Sequence, residues 1–292
     1  MPSVQIVTDS CANFASLHFL QQHPVTVVPN KISLAGRSYR EGVDLSADDA
    51  LRLMAHQPYA PLVTSPSEAE FVEVYNRVAR TCDAIISIHP SREIFPSWEN
   101  ALRASRQVVG SCPVFVIDSQ NICVGQGMLV KVAAKAIERE SHVDDMVRAV
   151  RGAIERIYSI YYVESVSYLL QNKIITPSHA VLGMMLGIKP FLGVEHGRLQ
   201  LIEKVKTRLQ AVDRLVEFVV EFAEVEDAVM VQHKPYISEQ TRMVQDRLAV
   251  EFSSHHFPYT LYNPSLAALI GVDATGIVIL EREIEEIDLD FD

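Results

Sequence analysis

The feature that most limits how this chain can fold is an alternation of short apolar strands and helices between residues 4 and 140. Predominantly apolar runs at 4–7, 84–88 and 114–117 have the length and composition of buried strands. Each run is followed by a segment whose apolar residues recur at helical spacing. Strands that alternate with helices predict a parallel sheet with flanking helices, so we assign this part of the chain to the α/β class.

The second half of the chain has a different order of elements and predicts a second α/β domain. Its strand patterns lie at 157–166, 188–192, 198–202, 228–231 and 276–280. An amphipathic helix is predicted at 206–224. We place the two domains at 1–145 and 146–292, and leave open that the last strands return to the first sheet. The tail at 281–292 is strongly acidic and is expected to fray.

Composition and charge narrow the classes of function. The 292 residues carry a formal net charge of −11, which argues against nucleic acid as a partner and against docking on anionic membranes. The chain shows no signal-peptide pattern and no apolar run long enough to span a bilayer. We therefore expect a cytoplasmic protein without stable membrane insertion.

The cysteine and histidine spacings predict neither a metal site nor a cofactor. The four cysteines form no CxxC pair, and the chain contains no HExxH spacing. Cys82 and Cys112 flank apolar runs, so we expect both to be small residues of the core.

A loop at 61–67 carries two hydroxyl groups next to a predicted helix. Thr64 and Ser65 precede Pro66, and the residue before a proline is excluded from the α region. Ser67, with an acidic first turn after it, is predicted to cap the next helix. The N-terminus of a helix favours a carboxylate or a phosphate. An ordinary capped loop explains the same residues and stays open.

A second loop with hydroxyl groups follows the strand at 84–88. Ser91 and Ser97 lie ahead of the next helix, and His89 directly follows the strand. His89 could act as a base for either serine, with Asp118 to orient it, as in a small hydrolase or transferase. The chain contains neither a Gly-x-Ser-x-Gly elbow nor a P-loop, so we assign no catalytic residue.

The order of several short motifs resembles the DegV family of bacterial fatty-acid-binding proteins over nearly the whole chain. The motifs are Thr8-Asp9-Ser10, Thr64-Ser65-Pro66-Ser67, Asp118-Ser119, the Leu-Gly-Ile-Lys-Pro run at 186–190 and Lys206-Thr207-Arg208. The resemblance implies a two-domain α/β carrier, not an enzyme. Such a carrier holds a fatty acid in a buried tunnel of its second domain and presents the head group to a separate fatty-acid kinase, which forms an acyl phosphate.

The departures from the family pattern cluster at the head-group site. The family's Leu-Ser-Gly-Thr-Tyr loop is matched here by Ile-Phe-Pro-Ser-Trp at 94–98. Phe95 thus replaces a serine that helps to hold the carboxylate in the family, and Leu269 stands where the family has a histidine. Lys173 replaces an arginine and keeps the positive charge but loses the planar fork.

The resemblance implies a lipid-binding site made of Thr64, Ser65, Ser97, Ser91, Phe95 and Leu269. The hydroxyl groups would donate to the head group, while the apolar side chains, together with Trp98, would favour an alcohol, an amide, an ester or a neutral acid. We expect the tunnel to be lined by Val181, Leu182, Met184, Met185, Leu186, Phe191 and Leu192. Two alternatives stay open: a relative that has lost or altered carboxylate binding and has a structural or regulatory role, and a serine-dependent hydrolase or transferase.

Overall fold

The computed structural model describes residues 2–16, 18–252 and 255–283, and the side chains of Leu182 and Met184 lie outside that description. In chain order the elements of the first half are β1 Val4–Asp9, α1 His18–Gln22, β2 Val25–Val28, β3 Lys31–Leu34, β4 Arg37–Arg40, α2 Ala47–Ala55, β5 Leu62–Thr64, α3 Glu68–Val78, β6 Ala84–His89, α4 Ser97–Ser105, β7 Val114–Asp118, α5 Val124–Arg139 and α6 Val143–Ile154. The predicted acidic tail falls mainly on residues 284–292, outside the described residues.

The first half contains the parallel sheet that the strand–helix alternation predicts. Its strands run in the order β2-β1-β6-β7, and every neighbouring pair is parallel. A second, small sheet of order β4-β3-β5 is antiparallel. In its tight β3–β4 turn, Ala35 and Gly36 adopt positive φ angles of 51° and 76°, a conformation that glycine adopts without steric cost.

The second half forms a six-stranded sheet. Its elements are β8 Ile157–Val163, α7 Ser167–Gln171, α8 Pro177–Met185, β9 Lys189–Glu195, β10 Arg198–Val205, α9 Arg208–Val220, β11 Val225–Gln232, α10 Glu239–Glu251, β12 Tyr259–Leu261, α11 Pro264–Ile270 and β13 Ala274–Glu281. The strand order is β10-β9-β8-β13-β11-β12. The last strand lies in this sheet, between β8 and β11. The boundary at 145 falls within α6, which packs against α5, and stays a prediction.

The apolar side chains form layers on both faces of the two large sheets. One cluster joins Ile6 and Ile88 of the first sheet, Leu129 of α5, and Tyr161 and Leu192 of the second sheet. The helix α5 therefore lies between the sheets, and it is apolar on nearly all sides, as a buried helix must be. The outer faces are covered by α3 and α4 on the first sheet and by α9 and α10 on the second.

None of the helices in the described residues is both long enough and apolar enough to cross a membrane.

Candidate functional site

The loop after β5 carries the first pair of predicted site residues. Thr64 ends β5, pairs with Lys31 of β3 and is exposed. Ser65 is only 9% exposed, and its Oγ is buried without a hydrogen-bond partner among the described residues. Ser67 caps α3, and its side chain forms a reciprocal capping box with Glu70. The predicted cap is therefore confirmed, and Ser65 is the loop hydroxyl that remains free for another contact.

The loop before α4 brings a second set of predicted residues to the same region. Ser97 is the first residue of α4 and is fully buried, with an unpaired Oγ. The indole Nε1 of Trp98 is also buried and unpaired within the described part of the chain. Phe95 is buried in the central core, and its N–H donates to the Ser91 carbonyl oxygen at 3.0 Å.

The two loops are joined by side chains of α4. Asn100 Nδ2 donates to the Pro66 carbonyl oxygen at 2.8 Å, and Arg103 Nε donates to a Glu68 carboxylate oxygen at 3.0 Å. Residues three apart lie on one face of a helix, so Ser97 faces the same loop as Asn100. The start of α4 therefore lies next to the loop that carries Ser65.

Leu269 reaches this region from the far end of the chain. It is half-buried near the end of α11, a short helix that packs against β5, α2 and α7. Asn172 Nδ2 donates to the carbonyl oxygens of Ala268 and Leu269 at 2.8 and 3.3 Å. Lys173, the nearest residue to the family's arginine position, is exposed and has a positive φ of 58°.

The backbone of Ser91 contacts Phe95, but its side chain is engaged elsewhere. Its N–H donates to the Asn121 carbonyl oxygen at 2.8 Å, and its Oγ accepts from the Glu93 N–H at 3.2 Å. A Cβ added to Gly197 would lie 2.4 Å from that Oγ, so the hydroxyl packs against the turn between β9 and β10. A ligand contact for Ser91 stays a prediction.

His89 belongs to a buried hydrogen-bond chain instead of the expected site. Its Nδ1 lies 2.9 Å from Asp9 Oδ2, and its Nε2 lies 2.8 Å from Ser87 Oγ, which in turn lies 2.8 Å from the Tyr75 hydroxyl. Burial raises the pKa of Tyr75. Asp118 instead accepts from the Gln120 N–H at 2.9 Å. The pairing of His89 with Ser91 or Ser97 that the hydrolase alternative requires is therefore not found among the described residues.

A buried carboxylate anchors α11 to the first sheet, and the sequence gives no local signal for it. Glu41 is 3% exposed and accepts hydrogen bonds from Ser10 Oγ at 2.6 Å, Asn30 Nδ2 at 3.0 Å, and the backbone N–H and Oγ of Ser265 at 2.8 and 2.6 Å. Burial raises the pKa of Glu41, although these hydrogen bonds oppose the rise. Glu41 therefore holds the helix that carries Leu269.

The residues predicted to line a tunnel do not share one cavity. Phe191 and Leu192 are both fully buried but belong to separate core clusters. Val181 and Met185 are 51% and 78% exposed. Leu186 lines an apolar cavity of about 160 Å³ beside α8. The tunnel residues Leu182 and Met184 have side chains outside the described part of the chain.

A larger cavity of about 510 Å³ lies at the edge of the second sheet and is strongly charged. There Glu164 pairs with Lys189 Nζ at 3.1 Å and with Arg208 Nε at 2.6 Å. Burial raises the pKa of Asp273, with a further contribution from Glu164, and burial lowers the pKa of His233. Its lining holds three cationic and three anionic side chains, which leave the cavity with nearly balanced charge.

Comparison with solved structures identifies the class of fold. DegV of Bacillus subtilis, described as a fatty acid binding protein, has a TM-score of 0.84 at 22% identity, and the match covers 96% of this chain and 100% of that one. A fatty acid binding DegV family protein of Streptococcus agalactiae has a TM-score of 0.86 at 21% identity, covering 97% and 100%. The fold is therefore the two-domain α/β fold of these proteins, as the sequence predicted.

Sequence comparisons establish the family. The model described as an uncharacterised protein of the DegV family matches residues 3–282. A DegV domain-containing protein of Streptomyces coelicolor is 32% identical over 216 residues, which cover 73% of this chain and 75% of that protein. A relative from Caldanaerobacter subterraneus subsp. tengcongensis is 27% identical over 286 residues, covering 97% and 100%. The chain belongs to the DegV family.

Proposed function

We propose that this protein binds a long-chain fatty acid or a related lipid, with its head group between the Ser65 loop and the start of α4. The relatives from Bacillus subtilis and Streptococcus agalactiae are described as fatty acid binding proteins, which supports this ligand class. We further propose that the protein presents the head group to a fatty-acid kinase, which forms an acyl phosphate. This chain would then act as a carrier, and the kinase would supply the phosphoryl-transfer residues.

One observation carries the head-group site: Ser65 Oγ, Ser97 Oγ and Trp98 Nε1 are all buried without a partner among the described residues. Buried polar side-chain atoms are nearly always hydrogen-bonded, and each unpaired one costs about 1–3 kcal/mol. A hydroxyl can donate or accept, whereas an indole N–H only donates. One oxygen-bearing head group would satisfy all three atoms. The Trp98 donor was missed from the sequence, where this residue was counted as apolar.

The surroundings of these atoms favour a head group without full negative charge. Phe95 is buried there, and Leu269 occupies the family's histidine position. The guanidinium of Arg92 lies 5.5 Å from the Trp98 ring centre, and its Nε lies 3.6 Å from Asp118 Oδ2. The nearest cation therefore already has a carboxylate partner. An alcohol, an amide, an ester or a protonated acid loses less hydration energy here than an ionised carboxylate.

The acyl chain needs more room than the described cavity provides. Ligand pockets usually measure about 300–1,000 Å³, roughly twice or more the volume beside α8. Each buried CH₂ group contributes about 0.8 kcal/mol, which can offset a local rearrangement. The cavity already has apolar walls at Ile175, Ile188 and Leu201. We therefore place the acyl chain in the cavity beside α8, with this helix displaced enough to enlarge the cavity.

A relative with lost or altered carboxylate binding is the second candidate function. The buried Phe95 ring and the small cavity favour it, because both reduce the space for a ligand. In that case the protein would have a structural or regulatory role. The serine-dependent hydrolase or transferase loses its proposed base, because His89 is fully buried and both ring nitrogens are hydrogen-bonded.

Mass spectrometry of the purified protein, first under native and then under denaturing conditions, tests the proposal. We expect a stoichiometric lipid that is released on denaturation. The double substitution Ser65→Ala with Ser97→Ala should weaken retention about tenfold, since it removes two hydrogen bonds to the head group. Ser105→Ala on the same helix is the matched control, because the one partner of its hydroxyl within the described residues is the Leu102 carbonyl oxygen.

The outcomes separate the candidates. An empty protein that also refuses added fatty acids, alcohols and esters would leave the second candidate in place. Tight binding of an ionised fatty acid at pH 7 would retain the carrier and reject the preference for an uncharged head group.

A further inference from the structure

Two cysteines lie together at the edge of the first sheet opposite the candidate site. The Sγ atoms of Cys82 and Cys112 are 3.8 Å apart, and both residues are free thiols. Cys82 precedes β6 by two residues, and Cys112 precedes β7 by two. Because β6 and β7 are parallel neighbours, with Ile85 opposite Val114, their first residues meet at one edge. The sheet topology therefore creates the pair.

The two cysteines differ from the other two in their access to solvent. Cys11 and Cys123 are fully buried. Cys82 and Cys112, which the sequence predicted to be core residues, are only half-buried at the rim of the outer cluster. Reagents in solution can therefore reach this pair in the folded protein, while Cys11 and Cys123 become accessible only on unfolding.

We propose that Cys82 and Cys112 form a site of reversible oxidative modification that closes to a disulfide. With hydrogen peroxide as the oxidant, one thiol sulfur attacks a peroxide oxygen to give a sulfenic acid and one water. The second thiol then attacks the sulfenic sulfur, which forms the S–S bond and releases a second water. Two thiols lose two electrons and two protons, and the peroxide is reduced to two waters. A dithiol reductant reverses the modification by thiol–disulfide exchange.

The local geometry allows the bond to close. A disulfide needs the sulfurs about 2.05 Å apart, so they must approach by roughly 1.8 Å from their present 3.8 Å. Both residues lie in loops, outside the helices and strands, where side-chain rotation and small backbone shifts can supply this movement. The Val109 N–H donates to Asn76 Oδ1 at 2.9 Å, which holds the second loop near the end of α3.

The acidity of the Cys82 thiol sets the pH dependence of the reaction. Its burial, and then its contact with the Cys112 thiol, raise the pKa of Cys82 to about 12. The thiolate is the reactive form, so Cys82 is a poor first nucleophile near neutral pH. Oxidation of the pair should therefore be faster at alkaline pH, where more of the Cys82 thiol is ionised.

The disulfide would enclose the part of the chain that carries much of the candidate site. Residues 82–112 contain β6, the loop with Ser91 and Phe95, and α4 with Ser97 and Trp98. A cross-link that closes a loop stabilises the native state, mainly by restricting the unfolded chain. Oxidation should therefore raise the resistance of this unit to unfolding.

The test treats the full-length protein with hydrogen peroxide and follows its mass under denaturing conditions without reductant. We expect the loss of two hydrogen atoms, a Cys82–Cys112 cross-link in the peptide map, and a Tm about 5 °C above that of the reduced protein. Addition of dithiothreitol should restore both the mass and the Tm. Cys82→Ser and Cys112→Ser should each abolish the cross-link and the Tm shift.

Each other outcome overturns the proposal. A cross-link that joins Cys11 to Cys123 would move the modification elsewhere. Oxygen adducts on Cys112 without a cross-link, or covalent dimers, would show that the pair does not close. A double Cys82→Ser, Cys112→Ser variant that still loses two hydrogens would show that the mass loss does not come from this pair. Protection of Cys11 and Cys123 from an alkylating reagent shows that the protein in each sample is folded.

Discussion

The side-chain amide of Asn100 donates a hydrogen bond to the Pro66 carbonyl oxygen at 2.8 Å. This bond ties the first turn of α4 to the loop that follows β5, although the two residues are 34 positions apart. Ser65 lies beside the acceptor in sequence, and Ser97 lies one helical turn from the donor. The spacing between the two unpaired hydroxyl groups therefore depends on a residue that need not touch a ligand itself.

We predict that Asn100→Ala weakens both folding and lipid retention. Loss of the bond should lower the free energy of unfolding by about 1 kcal/mol and should loosen the Ser65 loop relative to Ser97. Urea unfolding measures the first effect, and the fraction of lipid retained after gel filtration measures the second. Arg106→Ala, an exposed change at the end of the same helix, should alter neither. Unchanged retention in a destabilised Asn100→Ala protein would contradict the positioning role.

The sequence predicted the parts of the site that depend on local signals. The Ser67 cap was predictable because its partner Glu70 is three residues away, and the parallel sheet was predictable because strands alternate with helices. The bonds from Asn100 to Pro66 and from Ser265 to Glu41 join residues 34 and 224 positions apart. No local pattern predicts such contacts.

Two of the residues expected to line the tunnel lie on opposite faces of one strand. Phe191 and Leu192 are consecutive residues of β9, and successive side chains of a strand point to opposite faces. The structure accordingly places them in separate cores on the two faces of the second sheet. Apolar composition alone suggested a common lining, whereas the period of the strand already argued against it.

Glu41 should give the protein a specific pH dependence. Burial raises the folded-state pKa of Glu41 above its ordinary value of 4.5. The folded state therefore binds this proton more tightly than the unfolded chain. The stabilising contribution is complete below about pH 4.5 and is lost as the pH rises through the folded-state pKa.

We therefore predict a pH-dependent difference between the natural protein and Glu41→Gln. The free energy of unfolding of the natural protein minus that of Glu41→Gln should be largest at pH 4 and should shrink towards pH 7. Urea unfolding at half-unit pH steps measures it. Taking the difference cancels the titration of other carboxyl groups, such as Asp44. A difference that grows with pH would show that the hydrogen bonds from Ser10 and Ser265 outweigh burial.

Two helical glycines should respond in opposite directions to alanine. A Cβ added to Gly127 in α5 would lie 1.9 Å from the Asn13 carbonyl oxygen, a backbone atom that cannot turn aside. Gly127→Ala should therefore cost about 2–3 kcal/mol of stability. Gly152 in α6 has nothing within 4 Å of its added Cβ, so Gly152→Ala should gain about 0.5–1 kcal/mol from helix propensity.

Denaturant midpoints with an unchanged m value measure both effects. Since both positions are glycines within helices, the pair separates close packing from propensity. Equal effects of the two substitutions would mean that α5 can shift away from the Asn13 backbone.

Replacing His89 should lower the free energy of unfolding and leave lipid retention unchanged. It is fully buried between Asp9 and Ser87, so His89→Ala leaves the Asp9 carboxyl group without this partner and should cost about 3 kcal/mol. The folded fraction should retain lipid as before, because His89 lacks an exposed surface towards the Ser65 loop. His56→Ala, at an exposed position, is the matched control. Urea unfolding, lipid retention and hydrolysis of acyl esters are measured on all three proteins. If His89→Ala lowers the rate of ester hydrolysis and leaves stability unchanged, a serine-dependent hydrolase becomes the favoured function in place of a carrier.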